Sequence, residues 1–425
     1  MRWTRFGKRF AAVLAAGIVL GTMGGTMARG QDAPRGMTRP NPGLTAALAW
    51  AARVEVLDSA GKTLRTVNGT LLSQGVVVQT SALAGAAKVR ITARDGNAWE
   101  SANVVNANGL IGLSLLQLPG EPSGAVVFPA IRSYMARSRV FLLNGPGVGS
   151  DSLSARIYQN FMLRGAPDLC PIDIGITGAA PAVDSTGRFL GVACDLSEGV
   201  YKLGYIVPSG SVQVLTTSPP QPQSVSSLAD VAPPAFQDRS TATGLLFRGV
   251  VLAQANRPDD ARHFLSLALD RDASLPEAHF WTGRVLFSQE QFTQASEEFQ
   301  IAGTKDPTYY LAWHMAGATL HQAKDYNGAV KMYLKALEAK PNAADTYCNL
   351  GGAYYVLQRI DDAVAAFRKS IELDPRYAQG LAYTNLAMVL HGAGRKDEAE
   401  KVYQDLVKIN PAWGRQLRAT LDGQP

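Results

Sequence analysis

The sequence predicts a multidomain chain with two folded parts, an all-β domain over residues 47–215 and an all-α solenoid of repeated helix pairs over residues 241–413. Two observations carry this. Gly249, Gly283, Gly317 and Gly351 stand 34 residues apart, and each is followed twelve residues later by an alanine: Ala261, Ala295, Ala329 and Ala363. A fixed period of this size marks stacked helix pairs, because one pair cannot bury its own apolar face. Residues 47–215 show a different pattern, with short apolar or alternating runs cut by turn signals, as many short strands require.

The chain begins with a basic stretch (Arg2, Arg5, Lys8, Arg9), an apolar run from Phe10 to about Met23, and small residues ending near Ala28 or Gly30. Residues 1–30 therefore predict an export signal, either cleaved or kept as a membrane tether. Both forms place the body outside the cytoplasm, in the periplasm or cell envelope. The five basic residues of this segment account for most of the formal charge of +6, and the remainder carries +1. With no basic tract in the body, a nucleic-acid partner has no electrostatic basis.

Residues 31–46 are rich in Pro and Gly and predict a flexible spacer. The expected strands follow: Ala52–Leu57, Val67–Leu72, Gly75–Gln79, Lys88–Ala93, Val104–Val105, Leu113–Leu118, Val140–Leu143, Phe189–Ala193 and Tyr205–Val207. Residues 216–240 contain Pro-Pro-Gln-Pro and Ala-Pro-Pro and predict a linker. Helix pairs follow at 242–275, 276–309, 310–343, 344–379 and 380–413, the last after a two-residue insertion. Proline at 307, 341, 375 and 411 closes four of them. Residues 414–425 predict a polar tail.

In each pair the glycine permits close helix packing, and a large apolar residue four after the alanine (Leu265, Phe299, Tyr333, Phe367) fills the space between units. The pattern resembles the tetratricopeptide repeat (TPR). The third and fourth units carry the resemblance best, through Trp313, Gly317, Ala329, Tyr333 and Pro341, then Tyr347, Leu350, Gly351, Tyr354, Ala363, Phe367 and Pro375. It implies a groove lined by the first helix of each unit. Its positions give Leu246 and Val250 in the first unit, then Glu277, Phe280, Arg284 and Phe287 in the second. The third supplies His314, His321 and Gln322, the fourth Asp345, Cys348 and Tyr355, and the fifth Thr384, Met388 and His391. Such a groove suits an extended peptide or a partner's helix. His314 and His321 share a helix face, but no third ligand stands at metal-binding spacing, so no metal and no cofactor is expected.

The β region resembles the trypsin-like serine proteases of the HtrA variety at three places. They are Asn68 through Val89, Gly112-Leu-Ser-Leu-Leu-Gln-Leu118, and Cys170 through Val192 with its Gly175-Ile-Thr-Gly-Ala-Ala-Pro181 loop. The resemblance implies a double β-barrel and places the catalytic histidine at Ser81–Leu83, the aspartate at Gly112 and the serine at Thr177 or Gly178. None of the three is kept. All five histidines (263, 279, 314, 321, 391) lie after residue 262, so the β domain has no imidazole to activate a hydroxyl. Asp173 and Asp184 read as turn residues. Thr177 with Lys88 or Lys202 as base is the remaining arrangement for an atypical peptidase. Cys170 and Cys194 flank the loop and would pair if their strands were neighbours; Cys348 falls inside a repeat helix.

These readings converge on an exported adaptor, a protein that is not an enzyme, with a peptide or protein partner in the TPR groove. The alternative is a serine-type peptidase acting through a non-standard or partner-completed site.

Overall fold

The computed structural model describes residues 42–421 apart from 102, 121, 123–125, 127–138, 158–168, 173, 198–199 and 229–232. The export segment, residues 31–41 of the spacer, and Asp173 lie outside the described residues. The described residues divide into two compact units, one running to Ala273 and one from Ser274 onward.

The first unit opens with helix α1 (Pro42–Ala47), so the end of the expected spacer is ordered. Its Leu44 and Ala47 pack against Phe141, Leu143 and Val183. Fourteen strands follow among the described residues: β1 (Ala51–Leu57), β2 (Thr63–Leu72), β3 (Gly75–Gln79), β4 (Lys88–Thr92), β5 (Ala98–Ser101), β6 (Asn103–Asn108), β7 (Leu113–Leu116), β8 (Arg139–Leu143), β9 (Ser152–Arg156), β10 (Cys170–Ile172), β11 (Ala179–Val183), β12 (Phe189–Asp195), β13 (Gly204–Pro208) and β14 (Gln223–Ser224). They form an eight-stranded sheet ordered β14-β6-β7-β3-β2-β1-β4-β5 and a six-stranded sheet ordered β10-β13-β12-β11-β8-β9. The pairings are antiparallel, as short connections between consecutive strands allow. Each sheet encloses its own core. Val54, Val56, Leu71, Val76, Val78 and Ile91 fill the first, and Val140, Leu142, Ile172, Ala180, Ala193 and Ile206 the second. In the first sheet the short 3-10 turn Val225–Leu228 after β14 packs on β4, bringing one edge round toward the other.

Two expectations fail in this unit. Cys170 and Cys194 are buried and are not joined by a disulfide. Strand β13 lies between β10 and β12, with Cys170 opposite Ile206 and Cys194 opposite Tyr205. Two strand spacings, about 9.5 Å, exceed the reach of a disulfide. Their partners are also consecutive residues of β13, so the two thiols face opposite sides of the sheet. The second correction concerns the Pro-rich segment. Helix α2 (Ser209–Thr217) leads into it, but Gln221 N–H donates to the Val105 carbonyl at 3.0 Å and to Asn106 Oδ1 at 3.0 Å. β14 extends the sheet beside β6, and Val225, Leu228 and Phe236 are buried. Its apolar residues make it part of the β domain rather than a tether.

Helix α3 (Ala242–Gln254) and helix α4 (Pro258–Arg271) complete this first unit. Tyr205 and Phe236 meet Phe247 of α3 edge-on, at ring centroids of 5.9 and 5.4 Å. Tyr201 meets Phe264 of α4 at 5.0 Å. The first repeat pair is thus fastened to the β domain by aromatic edges.

The second unit holds α5 (Pro276–Ser288), α6 (Phe292–Lys305), α7 (Tyr310–Gln322), α8 (Tyr326–Ala339), α9 (Ala344–Val356), α10 (Ile360–Leu373), α11 (Leu381–Gly392), α12 (Lys396–Ile409) and α13 (Pro411–Leu421). The expected tail is mostly helix α13, which buries Leu417 and closes the end of the stack. The repeat glycines do what the spacing requires, within the unit rather than between units. A Cβ at Gly283, Gly317 or Gly351 would stand 2.9, 2.6 or 2.9 Å from the ring of Phe299, Tyr333 or Phe367 on the second helix of the same pair. Each first helix ends in a left-handed residue, and four of these are not glycine: Asn256, Glu290, Lys324 and Gln358, at φ +59 to +65°. The fifth unit uses Gly394. The left-handed geometry closes the helix, as when Gln291 N–H reaches the Leu286 carbonyl at 3.0 Å. It costs a side-chain-bearing residue about 1–2 kcal/mol. Glu290→Gly, Lys324→Gly and Gln358→Gly are therefore each expected to stabilise the solenoid by about 0.5–1 kcal/mol after the added chain entropy of glycine. Urea unfolding followed by helical circular dichroism measures it, and a loss of stability would contradict the capping account.

Candidate functional site

The first helices of the second unit form the inner side of the stack, since α9 packs on its counterparts α7 and α11 as well as on its own partner α10. The groove residues expected from sequence fall on these helices but differ in what they offer. Arg284, Phe287, Gln322, Asp345 and His391 are partly exposed. Glu277, Phe280, His314, His321, Tyr355, Thr384 and Met388 are buried. Phe280 packs on Phe299 at 5.5 Å and Tyr309 at 5.0 Å, bridging its own second helix and the turn into the next unit. Arg284 lies over the Trp281 ring at 4.4 Å. In the first repeat pair Leu246 and Val250 are buried inside the unit that contains the β domain, so they supply no groove surface.

Four ring side chains recur at the twelfth position of successive units: Phe287, His321, Tyr355 and His391. Phe287 meets Phe292 at 5.4 Å and His321 meets Tyr326 at 5.1 Å, each edge-on to the first residue of the following helix. Ala318 and Gly352 stand three positions before His321 and Tyr355. Small residues beside a row of rings leave space against flat apolar faces. Burial pushes the His321 imidazole down to about 4, so it stays neutral at physiological pH.

His314 is committed to the seam between units. Its Nδ1 lies 2.8 Å from Thr346 Oγ1, and its Nε2 lies 3.4 Å from Asn349 Nδ2. Asp345 Oδ1 in turn accepts from Thr346 N–H at 2.8 Å. Burial lowers the His314 pKa, with the Asp345 charge opposing it. One unit further on, Asn385 Nδ2 approaches Cys348 Sγ at 3.8 Å. Thr346, Asn349 and Asn385 were not among the residues expected to matter. The signal was present, since Asn349 and Asn385 both stand at the sixth position of their units.

In the β domain the structure brings together two of the positions that the protease resemblance assigns, those of the histidine and the aspartate. Ser81–Leu83 lie in the 3-10 turn Thr80–Leu83 after β3. Thr80 N–H donates to the Gly112 carbonyl at 2.8 Å, and Thr80 Oγ1 lies 2.9 Å from Ser114 Oγ. Thr177 is exposed and precedes Gly178, whose φ is +82°. The Thr177 carbonyl accepts both Asn68 N–H and Asn68 Nδ2, each at 2.9 Å. Lys88 is paired with Glu100 at 2.8 Å on the outer strands β4 and β5. Asp184 is a turn residue, accepting from Thr186 N–H at 2.8 Å and Arg188 N–H at 3.1 Å. Lys202 stands beside the same loop, where a Cβ at Gly175 would lie 3.3 Å from its Cα; a threonine hydroxyl acts as a nucleophile only with a base within hydrogen-bond reach.

Family models described as tetratricopeptide repeat match residues 248–310 and 342–412, and one described as TPR repeat matches 317–358. Small glutamine-rich tetratricopeptide repeat-containing protein 2 of Mycosarcoma maydis is 33% identical over 90 residues, which is 21% of this chain. The match spans 25% of that relative's own length. Among solved structures, the chain is similar to YrrB, described as a TPR protein with an unusual peptide-binding site, at 20% identity and TM-score 0.38. That match covers 44% of this chain and 93% of the other. The Rv3671c protease from M. tuberculosis is similar at 22% identity and TM-score 0.39, over 47% of this chain and 96% of the other.

Proposed function

We propose that this chain, whose C-terminal region consists of tetratricopeptide repeats, is an exported adaptor that holds an extended peptide segment of a partner protein along the first helices α5, α7, α9 and α11. The observation that carries the reading is the recurrence of Phe287, His321, Tyr355 and His391 at one register of those helices, within the region that the repeat models match. Flat rings beside small residues favour contact with an extended chain, which presents alternate side chains to a groove. Arg284, Phe287, Gln322, Asp345 and His391 are its partly exposed members. The β domain is read as a trypsin-like barrel pair without catalysis. Support comes from the order of its strands, the absence of histidine before residue 263, and the pairing of Lys88 with Glu100. The basic and apolar first 30 residues support export to the periplasm or envelope.

Photo-crosslinking in intact cells tests the groove. A benzophenone side chain at Phe287, Gln322 or His391 is expected to yield one adduct of common mass. The same group at Ile301 or Leu334, exposed on the second helices α6 and α8, is expected to yield none. Equal labelling from both faces would remove the groove reading. Casein cleavage that disappears in Thr177→Ala would instead establish the peptidase.

A further inference from the structure

The segment before the first repeat helix reaches into the β domain at the position where the protease resemblance places the acid. A Cβ at Gly112 would stand 2.2 Å from Gln237 Nε2 and 3.0 Å from Pro234 Cγ. Gln237 Nε2 donates to the Tyr205 hydroxyl at 2.6 Å. Its Oε1 is 3.5 Å from Gln79 Nε2, which donates to the Asp195 carbonyl at 3.2 Å. Gln79 Oε1 accepts from Asp195 N–H at 3.3 Å. Gln79 belongs to the eight-stranded sheet, whereas Asp195 and Tyr205 belong to the six-stranded one. One carboxamide from outside the strands therefore completes a buried polar chain that spans both sheets.

This carboxamide is itself held in place. Arg248 of α3 is buried, and its NH2 donates to the Gln237 carbonyl at 3.1 Å while NH1 donates to the Gly244 carbonyl at 3.0 Å. Phe236 sits between Tyr205 and Phe247, at 5.4 Å from each. The turn is tied off by Thr241, whose Oγ1 donates to the Ala235 carbonyl at 2.6 Å and accepts from Gly244 N–H at 3.0 Å as the cap of α3. Polar networks satisfied in this way inside a protein fix one arrangement, because any opening strands several groups without partners.

We propose that Pro234–Gln237 is a built-in plug that permanently closes the β domain beside Gly112, and that the first helix pair, α3 and α4, serves as the clamp on this plug rather than as a binding repeat. The space for an acid at position 112 is taken by the chain's own residue 237. The left-handed Gly112, at φ +67°, is further suited to no side chain. The β domain then offers no substrate passage along this side, and its docking capacity is confined to other surfaces. The inference stands apart from the groove reading, since nothing in it depends on what α5–α11 bind.

Hydrogen exchange of the full chain, read by mass spectrometry, tests it. The amides of Gln237 and Asp238, which donate to the Pro234 carbonyl at 2.8 and 3.1 Å, are expected to exchange as slowly as those of β12 and β13. Gln237→Ala is expected to speed exchange by about tenfold or more at residues 79–83, 112–116 and 203–206 together, with α5–α13 unchanged. Phe236→Ala should produce the same pattern through the ring contacts. Fast exchange of the Gln237 and Asp238 amides in the unaltered chain, beside a protected β13, would overturn the proposal. So would an effect of Gln237→Ala confined to its own peptide. Neither outcome bears on crosslinking at Phe287, so failure of the plug and failure of the groove are separable.

Discussion

Asn68→Ala will destabilise the β domain by about 3 kcal/mol or more, the largest loss expected from any polar substitution there. Asn68 is fully buried on β2. Its Nδ2 donates to Asn144 Oδ1 and to the Thr177 carbonyl, both at 2.9 Å, and its Oδ1 accepts from Gly145 N–H at 2.8 Å. β2 lies in the eight-stranded sheet, whereas Asn144 follows β8 and Thr177 precedes β11, both of the six-stranded one. The side chain is therefore a bolt between sheets. Alanine leaves the Gly145 N–H, one lone pair of Thr177 and a buried Asn144 Oδ1 with fewer partners, and such losses cost about 1–3 kcal/mol each. Thr70 adds a second fastening next to it, through Oγ1 to the Ala179 carbonyl at 3.0 Å, so the sheets remain joined while the transition shifts. Denaturant unfolding followed by Trp50 and Trp99 fluorescence reads the β domain. A shift below about 1 kcal/mol would mean that water replaces the bolt at little cost. Asn103→Ala, at an exposed position on β6, is the near-neutral control.

Phe367→Ala will cost the solenoid about 3–5 kcal/mol, and Gly351→Ala about 1–3 kcal/mol. The Phe367 ring is fully buried and lies where a Cβ at Gly351 would meet it at 2.9 Å. Truncating the ring opens a cavity at the helix crossing, whereas adding a methyl overpacks the same crossing. The two changes act on one contact, so they must couple. Combining Gly351→Ala with Phe367→Leu should cost less than the sum of the single changes by about 0.5 kcal/mol or more. Urea titrations monitored by helical circular dichroism give all four corners of the cycle. Strict additivity would show that glycine and ring serve separate ends.

Much of the β domain was legible from apolar runs, and the strands missed lack a run of large apolar residues. β5 (Ala-Trp-Glu-Ser) and β9 (Ser-Leu-Ser-Ala-Arg) are partly exposed sheet edges with one large apolar residue each. β11 (Ala-Ala-Pro-Ala-Val) is wholly buried, but its small residues and Pro181 read as loop. Pro181 is tolerated because β8 pairs only from Ala182 onward. For the groove, helical register placed every named residue on a first helix. Register does not tell which of these are covered by the next unit, and His314 and Met388 are nearly closed off.

The sequence alone determined the repeat, its helix pairs and turns, and the lack of an imidazole in the β domain. These depend on short-range periodicity and on composition, which no neighbour can alter. Only the tertiary structure decided that β13 separates Cys170 from Cys194. It alone showed that Gln223–Ser224 pairs with β6 and Val225–Leu228 packs on the β domain, and that the first helix pair falls in the same compact unit. The physical reason is common to all three. Strand order, and the docking of a segment onto partners far away in sequence, arise from non-local burial and hydrogen bonding. A local pattern of apolar and polar residues states that a face must be covered, and leaves open what covers it.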